Sequence, residues 1–429
     1  MIPFGIHSFR GKRVLLLQGP IGPFFARLAK DLTAAGATVY KVNFNAGDAL
    51  FYPLNAISFK RPTDQWPTFF EALITRLSID SVLFFGDCRE VHAQAKAIAS
   101  KHGLDIGVFE EGYLRPRHIT LERSGVNGYS AMPRSPLVYL NQPEWPDVPE
   151  RDVGNAYWPM VWWGFCYFAV GALGKPWFPH NRHHRRLSVL EALPWVRSVW
   201  RHRWYQWSER GCLDRLNHEK TGKYFLIPLQ VHNDSQIDKH SSFKDVPAFI
   251  DEVMQSFARS APRETALVIK HHPMDRGYTD YSKHIARQAQ ALGISDRCLY
   301  LHDQHLPTML DHARGVVVVN STVGLQALRH GTPTKAMGAA IYNMQGLCFQ
   351  GSLDEFWSEA PKARPNAALL RRFVRYLKNV NQINGSFYRV MPGGNGKTGL
   401  IWPAREVLVS PPEASAAPKP ATHPVQATG

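Results

Sequence analysis

Four stretches hold residues whose types and spacing could carry chemistry. In FEEGYLRPRHITLE (Phe109 to Glu122), Glu110 and Glu111 close an apolar run ahead of Gly112 and a basic pair, Arg115 and Arg117. A carboxylate in a closing cleft can have its pKa raised and act as a general acid or base. Neighbouring residues of a strand face opposite ways, so one Glu can reach a reacting centre and the other is expected to be structural, paired with Arg115. In LIPLQVHNDSQI (Leu226 to Ile237) an apolar run ends in Gln230, His232, Asn233, Asp234 and Ser235. An Asn-Asp-Ser turn is also an ordinary helix cap. Asp234 gains weight as a second carboxylate across a cleft from Glu110, since glycosyl transfer and hydrolysis commonly use such a pair.

The other two stretches suit phosphate. LVIKHHPMDRG (Leu267 to Gly277) sets Lys270, His271 and His272 directly after a strand, where Lys and His together can neutralise a phosphate or a leaving group. Adjacent histidines on an extended chain diverge, which disfavours a shared metal ion. GVVVVNSTVGLQALRHGTPT (Gly315 to Thr334) reads as a buried strand, a turn with two hydroxyls and a helix. Ser321 and Thr322 stand where that helix begins, so they can hold a phosphate at its positive end or simply cap it. Gly324 would allow close backbone approach, and Gly331-Thr332-Pro333 ends the helix.

Positioning these residues requires an α/β scaffold. Apolar runs RVLLLQ, TVYKVNF, SVLFFGD and IGVFEEG alternate with helical spacing over Phe24 to Ala35 and Glu90 to Lys101. Strands too apolar to have a wet face indicate a parallel sheet covered by helices on both sides. Functional residues of such sheets lie at the carboxyl ends of strands, which is where Gln18, Asn43, Asn45, Asp87, Glu110 and Glu111 fall. A second alternation, YFLIPLQ, ALVIKHHP, CLYLHD and GVVVVNSTVG, follows from Lys223. Two doubly wound, Rossmann-like units would leave a cleft between them. The expected division is 1–130 for the first unit, 131–221 for a helical Trp/Arg-rich insertion and 222–350 for the second unit. C-terminal helices over 351–409, of which the Asn366 to Leu377 stretch is expected to pack back across the domains, and a disordered Pro/Ala/Thr-rich tail over 410–429 complete it.

Composition narrows the class. The 429 residues carry 50 Lys and Arg against 35 Asp and Glu, a net charge of +15, with 44% hydrophobic residues. That apolar content excludes disorder as the dominant state, and the basic excess implies an anionic partner. Five scattered cysteines without a C-x-x-C pair argue against a disulfide scaffold or a zinc site and for a reducing compartment. The N-terminus lacks a signal-peptide pattern, so a cytoplasmic location is expected. WPMVWWGFCYFAVGAL (Trp158 to Leu173) is short for a membrane span and reads as interfacial or buried. HNRHHRRLSVLEALPWVRSVWRHR (His180 to Arg203) interleaves basic and Trp residues, which suits an anionic membrane interface, a solvated basic helix beside a core or, least of all, single-stranded nucleic acid.

Taken together, LLLQGPIGPFF (Leu15 to Phe25), YKVNFNAGD (Tyr40 to Asp48), LFFGDCR (Leu83 to Arg89), VFEEGYLRPRHITLE, GVNGYS (Gly125 to Ser130), Asn233-Asp234-Ser235, KHHP and NSTVGLQALRHGTP (Asn320 to Pro333) resemble the capsule polysaccharide biosynthesis/export family, in its KpsS/LipB-type members. The resemblance implies a GT-B-like glycosyltransferase that moves Kdo, a keto-deoxy-octulosonic acid, from CMP-Kdo to a phosphatidylglycerol-type anionic lipid with retention of the β-configuration. It implies work at the inner face of the cytoplasmic membrane beside capsule assembly proteins, with no nucleic acid partner, no cofactor beyond the donor and no metal. By motif, Glu110 matches the Glu of E-[ED]-G-[FY], Asp234 the Asp after Gln-Val, His272 the His of K-x-H-P and Ser321 the Ser of the phosphate turn. Asp234 would then be the nucleophile and Glu110 the acid/base, with Glu111 as the alternative. Lys270, His271, His272, Ser321 and Thr322 would hold the nucleotide, and Gln18, Asn43, Asn45, Asp87 and Arg115 the substrate. Gln326 stands where many nucleotide-sugar enzymes use Glu to grip ribose. Two rivals are a non-enzymatic assembly or export factor and a transferase for another nucleotide sugar.

Overall fold

The structure, a computed structural model, describes residues 5–180 and 192–403. Apolar runs become buried strands at both expected places. The first sheet has β1 (Arg13–Leu16), β2 (Thr38–Asn43), β3 (Ile57–Ser58), β4 (Ser81–Phe85), β5 (Asp105–Glu111) and β6 (His118–Arg123). The second has β7 (Tyr224–Pro228), β8 (Ala266–Lys270), β9 (Cys298–Leu301), β10 (Gly315–Val318) and β11 (Thr334–Ala336). A final strand, β12 (Gln382–Asn384), returns to the first sheet.

The orders are β12-β6-β5-β4-β1-β2-β3 and β11-β10-β7-β8-β9. Each sheet reverses its strand order once, between β1 and β4 and between β7 and β10. At such a switch point diverging loops open a crevice beyond the strand ends. The second sheet is all parallel. The first is not: β6 runs antiparallel to β5, and β12 antiparallel to β6. The reading of a parallel first sheet is corrected here, because HITLER (His118–Arg123) turns back after β5 and forms an antiparallel strand between β5 and β12. Gln382 of the edge strand β12 pins it to the sheet, accepting from the Tyr113 backbone N–H at 2.8 Å and donating to the Thr120 hydroxyl at 2.9 Å.

Helices follow from amphipathic spacing and caps. Glu90–Lys101 keeps its expected bounds and buries Val91, His92, Ala95 and Ala99. Ala367–Val380 starts at an Asn366 cap, whose side chain accepts from the Leu369 N–H at 3.0 Å. Its Leu369, Phe373, Tyr376 and Leu377 share one apolar cluster with Tyr113, Leu114 and Tyr139 and with Leu226 and Val316 of the second sheet. That cluster joins this helix and the segment that follows β5 to the second sheet. Between the sheets, the described residues form helices and no strand, among them Tyr157–Leu173, Ala192–Ser208 and Cys212–Glu219. No helix among the described residues is long and apolar enough to cross a membrane. Arg182, Arg185 and Arg186 of the basic stretch and the 410–429 tail lie outside the described residues.

Candidate active site

The two switch points meet at a cleft of about 530 Å³. The first sheet lends it Asp87 to Arg89 after β4, Glu110 and Glu111 at the end of β5, and Arg115. The second lends Gln230, Asn233 and Asp234 after β7, His272 after β8, and Asn320, Ser321 and Thr322 after β10. Residues more than a hundred positions apart thus share one cavity because each ends a central strand.

Glu110 has an acid/base environment. Burial pushes its carboxyl up to about 7, offset by the Glu111 N–H, which donates to Oε1 at 3.0 Å, and by the charges of Arg115 and Arg89. At neutral pH such a group both takes and gives a proton readily. Glu111 is instead held by the Tyr388 hydroxyl, which donates to it at 2.9 Å. The expected Glu111–Arg115 pair does not form among the described residues; Arg115 is exposed and its Nε points to the Gly112 carbonyl at 3.4 Å.

Asp234 lines the cleft and also caps the Ser235–His240 helix. Its Oδ1 accepts from the Gln236 N–H at 3.0 Å and its Oδ2 from Gln230 Nε2 at 2.9 Å. Gln230 straps β7 to β10 as well, donating to Asn320 Oδ1 at 3.0 Å and accepting from the Asn320 N–H at 3.3 Å. The carboxylate is therefore fixed in direction by neutral donors, with no cation in ion-pair contact among the described residues.

The Lys-His-His-Pro stretch divides. Lys270 is buried and donates to the His302 carbonyl at 3.0 Å, and His271 Nδ1 meets the Tyr300 hydroxyl at 2.6 Å. Neither lines the cleft; only His272 does. Its Nδ1 accepts from the Met274 N–H at 3.2 Å, and burial, with the Arg115 charge, lowers its pKa to about 4. The imidazole is thus neutral at pH 7, with its proton on Nε2, and it acts as a hydrogen-bond donor where a cation was expected. Ser321 does cap the Thr322–Arg329 helix, accepting from the Val323 N–H at 3.2 Å, and it lines the cleft with Thr322. The capping reading is thus met, and the same turn faces the cleft. Gln326 lies a turn deeper and does not line the cleft. Gly324 serves packing: a Cβ there would stand 2.2 Å from the Tyr342 hydroxyl oxygen.

Three strand-end residues expected to contact substrate are spent on internal bonds. Asn43 donates to the Tyr52 carbonyl at 2.9 Å. Asn45 caps Ala46–Phe51, accepting from the Asp48 N–H at 2.9 Å and donating to the Tyr167 hydroxyl at 2.7 Å. Gln18 donates to Asp48 Oδ2 at 3.1 Å and accepts from Arg89 Nη1 at 2.8 Å. The Tyr157–Leu173 helix covers all of this, its Tyr167 ring resting where a Cβ on Gly47 would come within 2.8 Å. Asp87 does reach the cleft, but its carboxylate pairs with Lys96 at 3.4 Å and accepts from the Val126 N–H at 3.3 Å. Arg89 and Gln230 were not given roles from sequence. Both follow strands flanking a switch point, the signal that would have found them. Among the described residues no cluster of three or more His, Cys, Asp or Glu could hold a metal ion.

Residues 80–388 match the model of the family described as capsule polysaccharide biosynthesis protein. The chain is 41% identical over 380 residues to the capsule polysaccharide export protein KpsS of Escherichia coli, covering 88% of this chain and 97% of that one. It is 39% identical over 398 residues to the capsule polysaccharide modification protein LipB of Neisseria meningitidis serogroup B, covering 90% and 94%. A solved structure, the Thermosulfurimonas dismutans KpsC beta Kdo 2,7 transferase, overlays with a TM-score of 0.39 at 15% identity over 82% of this chain and 94% of that one, too distant to inform residues or substrate.

Proposed function

The chain belongs to the capsule polysaccharide biosynthesis family, and on that footing we propose that it is a glycosyltransferase that moves Kdo from CMP-Kdo to a phosphatidylglycerol-type lipid, retaining the β-configuration. The observation that carries this reading is one cleft lined by an oriented carboxylate, Asp234, and a carboxyl poised near neutrality, Glu110. Retention is most simply reached by two inversions. In the first, the Asp234 carboxylate attacks the anomeric carbon as the bond to the CMP phosphate oxygen breaks, leaving a glycosyl ester and free CMP. In the second, Glu110 takes the proton of the lipid hydroxyl, whose oxygen displaces Asp234. His272 Nε2–H and the helix start at Ser321-Thr322 would receive the departing phosphate. The test is incubation with CMP-Kdo and a fluorescent phosphatidylglycerol. A product one Kdo heavier supports the reading; turnover only with a UDP-sugar changes the donor; CMP binding without any turnover favours an assembly or export factor.

His272→Ala and Ser321→Ala are each expected to weaken CMP binding about ten- to a hundredfold, the worth of a charge-assisted phosphate contact. Calorimetric titration with CMP measures it, and unchanged affinity in both variants would remove the nucleotide from this end of the cleft.

We place the protein peripherally on the inner face of the cytoplasmic membrane, among capsule assembly proteins. Supporting this, the Ala192–Ser208 helix exposes Leu193, Val196, Trp200, Trp204 and Trp207. Spacings of three and four set them in one stripe, with Arg197 and Arg203 exposed at its margins. The opposite side is anchored, Arg201 Nη1 donating to the Arg276 carbonyl at 2.7 Å and Arg276 Nε to the Ser198 carbonyl at 3.1 Å. The Tyr157–Leu173 helix adds exposed Trp158, Trp162 and Phe165. Trp at headgroup depth and Arg over lipid phosphate is the pattern of an interfacial helix. Vesicle sedimentation should require anionic lipid and fall with salt. Trp200→Ser with Trp204→Ser should weaken it by at least about tenfold. Serines at Arg182, Arg185 and Arg186 should lower it further, each Arg contributing about 1 kcal/mol near the surface. Equal binding to neutral vesicles would overturn the electrostatic part.

A further inference from the structure

Arg89 is a cation the reaction just described does not use. It borders the cleft three residues beyond Gly86, whose φ of +72° turns the chain sharply at the end of β4. Its Nη1 is given to a neutral acceptor, Gln18 Oε1, at 2.8 Å, and its guanidinium lies over the Phe85 ring, 5.3 Å from the centroid. Gln18 is itself fixed by Asp48, so the guanidinium is pre-set. No carboxylate lies in ion-pair contact with Arg89 among the described residues. Burial lowers its pKa, a sign that water no longer solvates it fully. Glu110 and Asp48 favour its charge only through space, without contact, and a desolvated guanidinium with unfilled N–H donors is a place where a ligand can supply a contacting counter-charge.

The position says which ligand group. A Cβ on Gly86 would lie 3.7 Å from Glu110 Oε2 and 3.9 Å from Arg89 Nε, so the two side chains flank one point on the first-sheet wall. The phosphate-suited helix start at Ser321 and Thr322 belongs to the other sheet. The group facing Arg89 therefore sits with the reacting sugar beside the acid/base and apart from the nucleotide phosphate. A planar guanidinium with free N–H donors matches a planar carboxylate in a bidentate way that an ammonium cannot. Resting on the transferase reading above, we propose that Arg89, seated by Gln18, binds the carboxylate of an acidic sugar and so selects acidic over neutral sugar donors.

The experiment uses the full chain and compares CMP with CMP-Kdo as ligands of the wild type, Arg89→Lys and Arg89→Met. Arg89→Lys keeps the charge and loses the fork, and guards against a misfolded Met variant. Expected are CMP affinities within about twofold of wild type and CMP-Kdo affinities lower by about 10- to 100-fold, with a raised KM for CMP-Kdo and an unchanged KM for the lipid. Equal losses for CMP and CMP-Kdo, or none, would overturn the assignment. So would an effect confined to the KM of the lipid, which would make its phosphate the anion bound. Failure of the wild type to bind CMP-Kdo would overturn the parent reading together with this one, whereas wild-type binding without contrast between the variants overturns this one alone.

Discussion

Asp234→Asn is expected to lower sugar transfer on the order of 10⁴-fold or more while CMP binding survives, since loss of a nucleophile costs far more than loss of a binding contact. The substitution preserves volume and leaves an oxygen to cap the Ser235–His240 helix and accept from the Gln236 N–H. With the oxygen kept on the Gln236 N–H, the new NH₂ takes the place of Oδ2 and meets the Gln230 Nε2 donor, so that one bond is lost while the bonds of Gln230 to Asn320 remain. What vanishes is the anion that would form the bond to the anomeric carbon. The check is a transfer assay beside a CMP titration on the same preparation. An active Asn variant would mean that another group is the nucleophile, and loss of both activities together would make Asp234 a structural cap.

Glu110→Gln should act on the second half of the reaction. Without a base to deprotonate the lipid hydroxyl, the glycosyl ester forms and persists, so intact-protein mass spectrometry should find a Kdo adduct on the peptide containing Asp234. In the wild type, kcat/KM should rise with pH through about 7, where the Glu110 carboxyl ionises, and this limb should be missing in the Gln variant. Stability should move the other way. The carboxyl is held at about 7 in the folded chain against an ordinary 4.5. Between those values the folded chain keeps a proton that the unfolded chain has released, so stability falls as pH rises across that window. Above it the full cost is present, about 3 kcal/mol at most, and Gln removes it. Thermal melts of the two proteins should therefore nearly coincide at pH 5 and separate at pH 8, with the Gln variant higher. An adduct elsewhere, or melts that separate equally at both pH values, would refute the assignment of Glu110.

Much of the scaffold was legible because central parallel strands are buried on both faces and must be continuously apolar: YFLIP, ALVIK and GVVV have no other plausible fate. The same logic carried Glu110, Asp234, His272, Ser321 and Thr322 to the cleft, since residues following such strands collect at a switch point. It misled for Gln18, Asn43 and Asn45, which also end strands. Nothing local shows that Tyr167, more than a hundred residues on, will cover that end of the sheet and take hydrogen bonds from Gln18 and Asn45. The charge state of His272 was equally illegible, because burial and the nearby Arg115 decide it. β12 escaped for a further reason: QIN is too short for any periodicity, and its partner is set by tertiary pairing.

That late strand fixes when the chain can finish folding. Ile383 sits opposite Ile119, and the Asp31 carboxylate near the start of the chain accepts from the Thr398 N–H at 2.9 Å. A ribosome adding roughly 5–20 residues per second needs on the order of 13 to 50 s to travel from β6 to β12. Throughout that time the nascent first sheet presents β6 as a bare edge, with donors and acceptors open to any passing strand. Native pairing there is a terminal event of synthesis, so premature stops before residue 382 should yield chains that associate through this edge, whatever the state of the cleft. Slow translation through the intervening segment lengthens the hazard, and a chaperone that shields β6 until Gln382 emerges would shorten it.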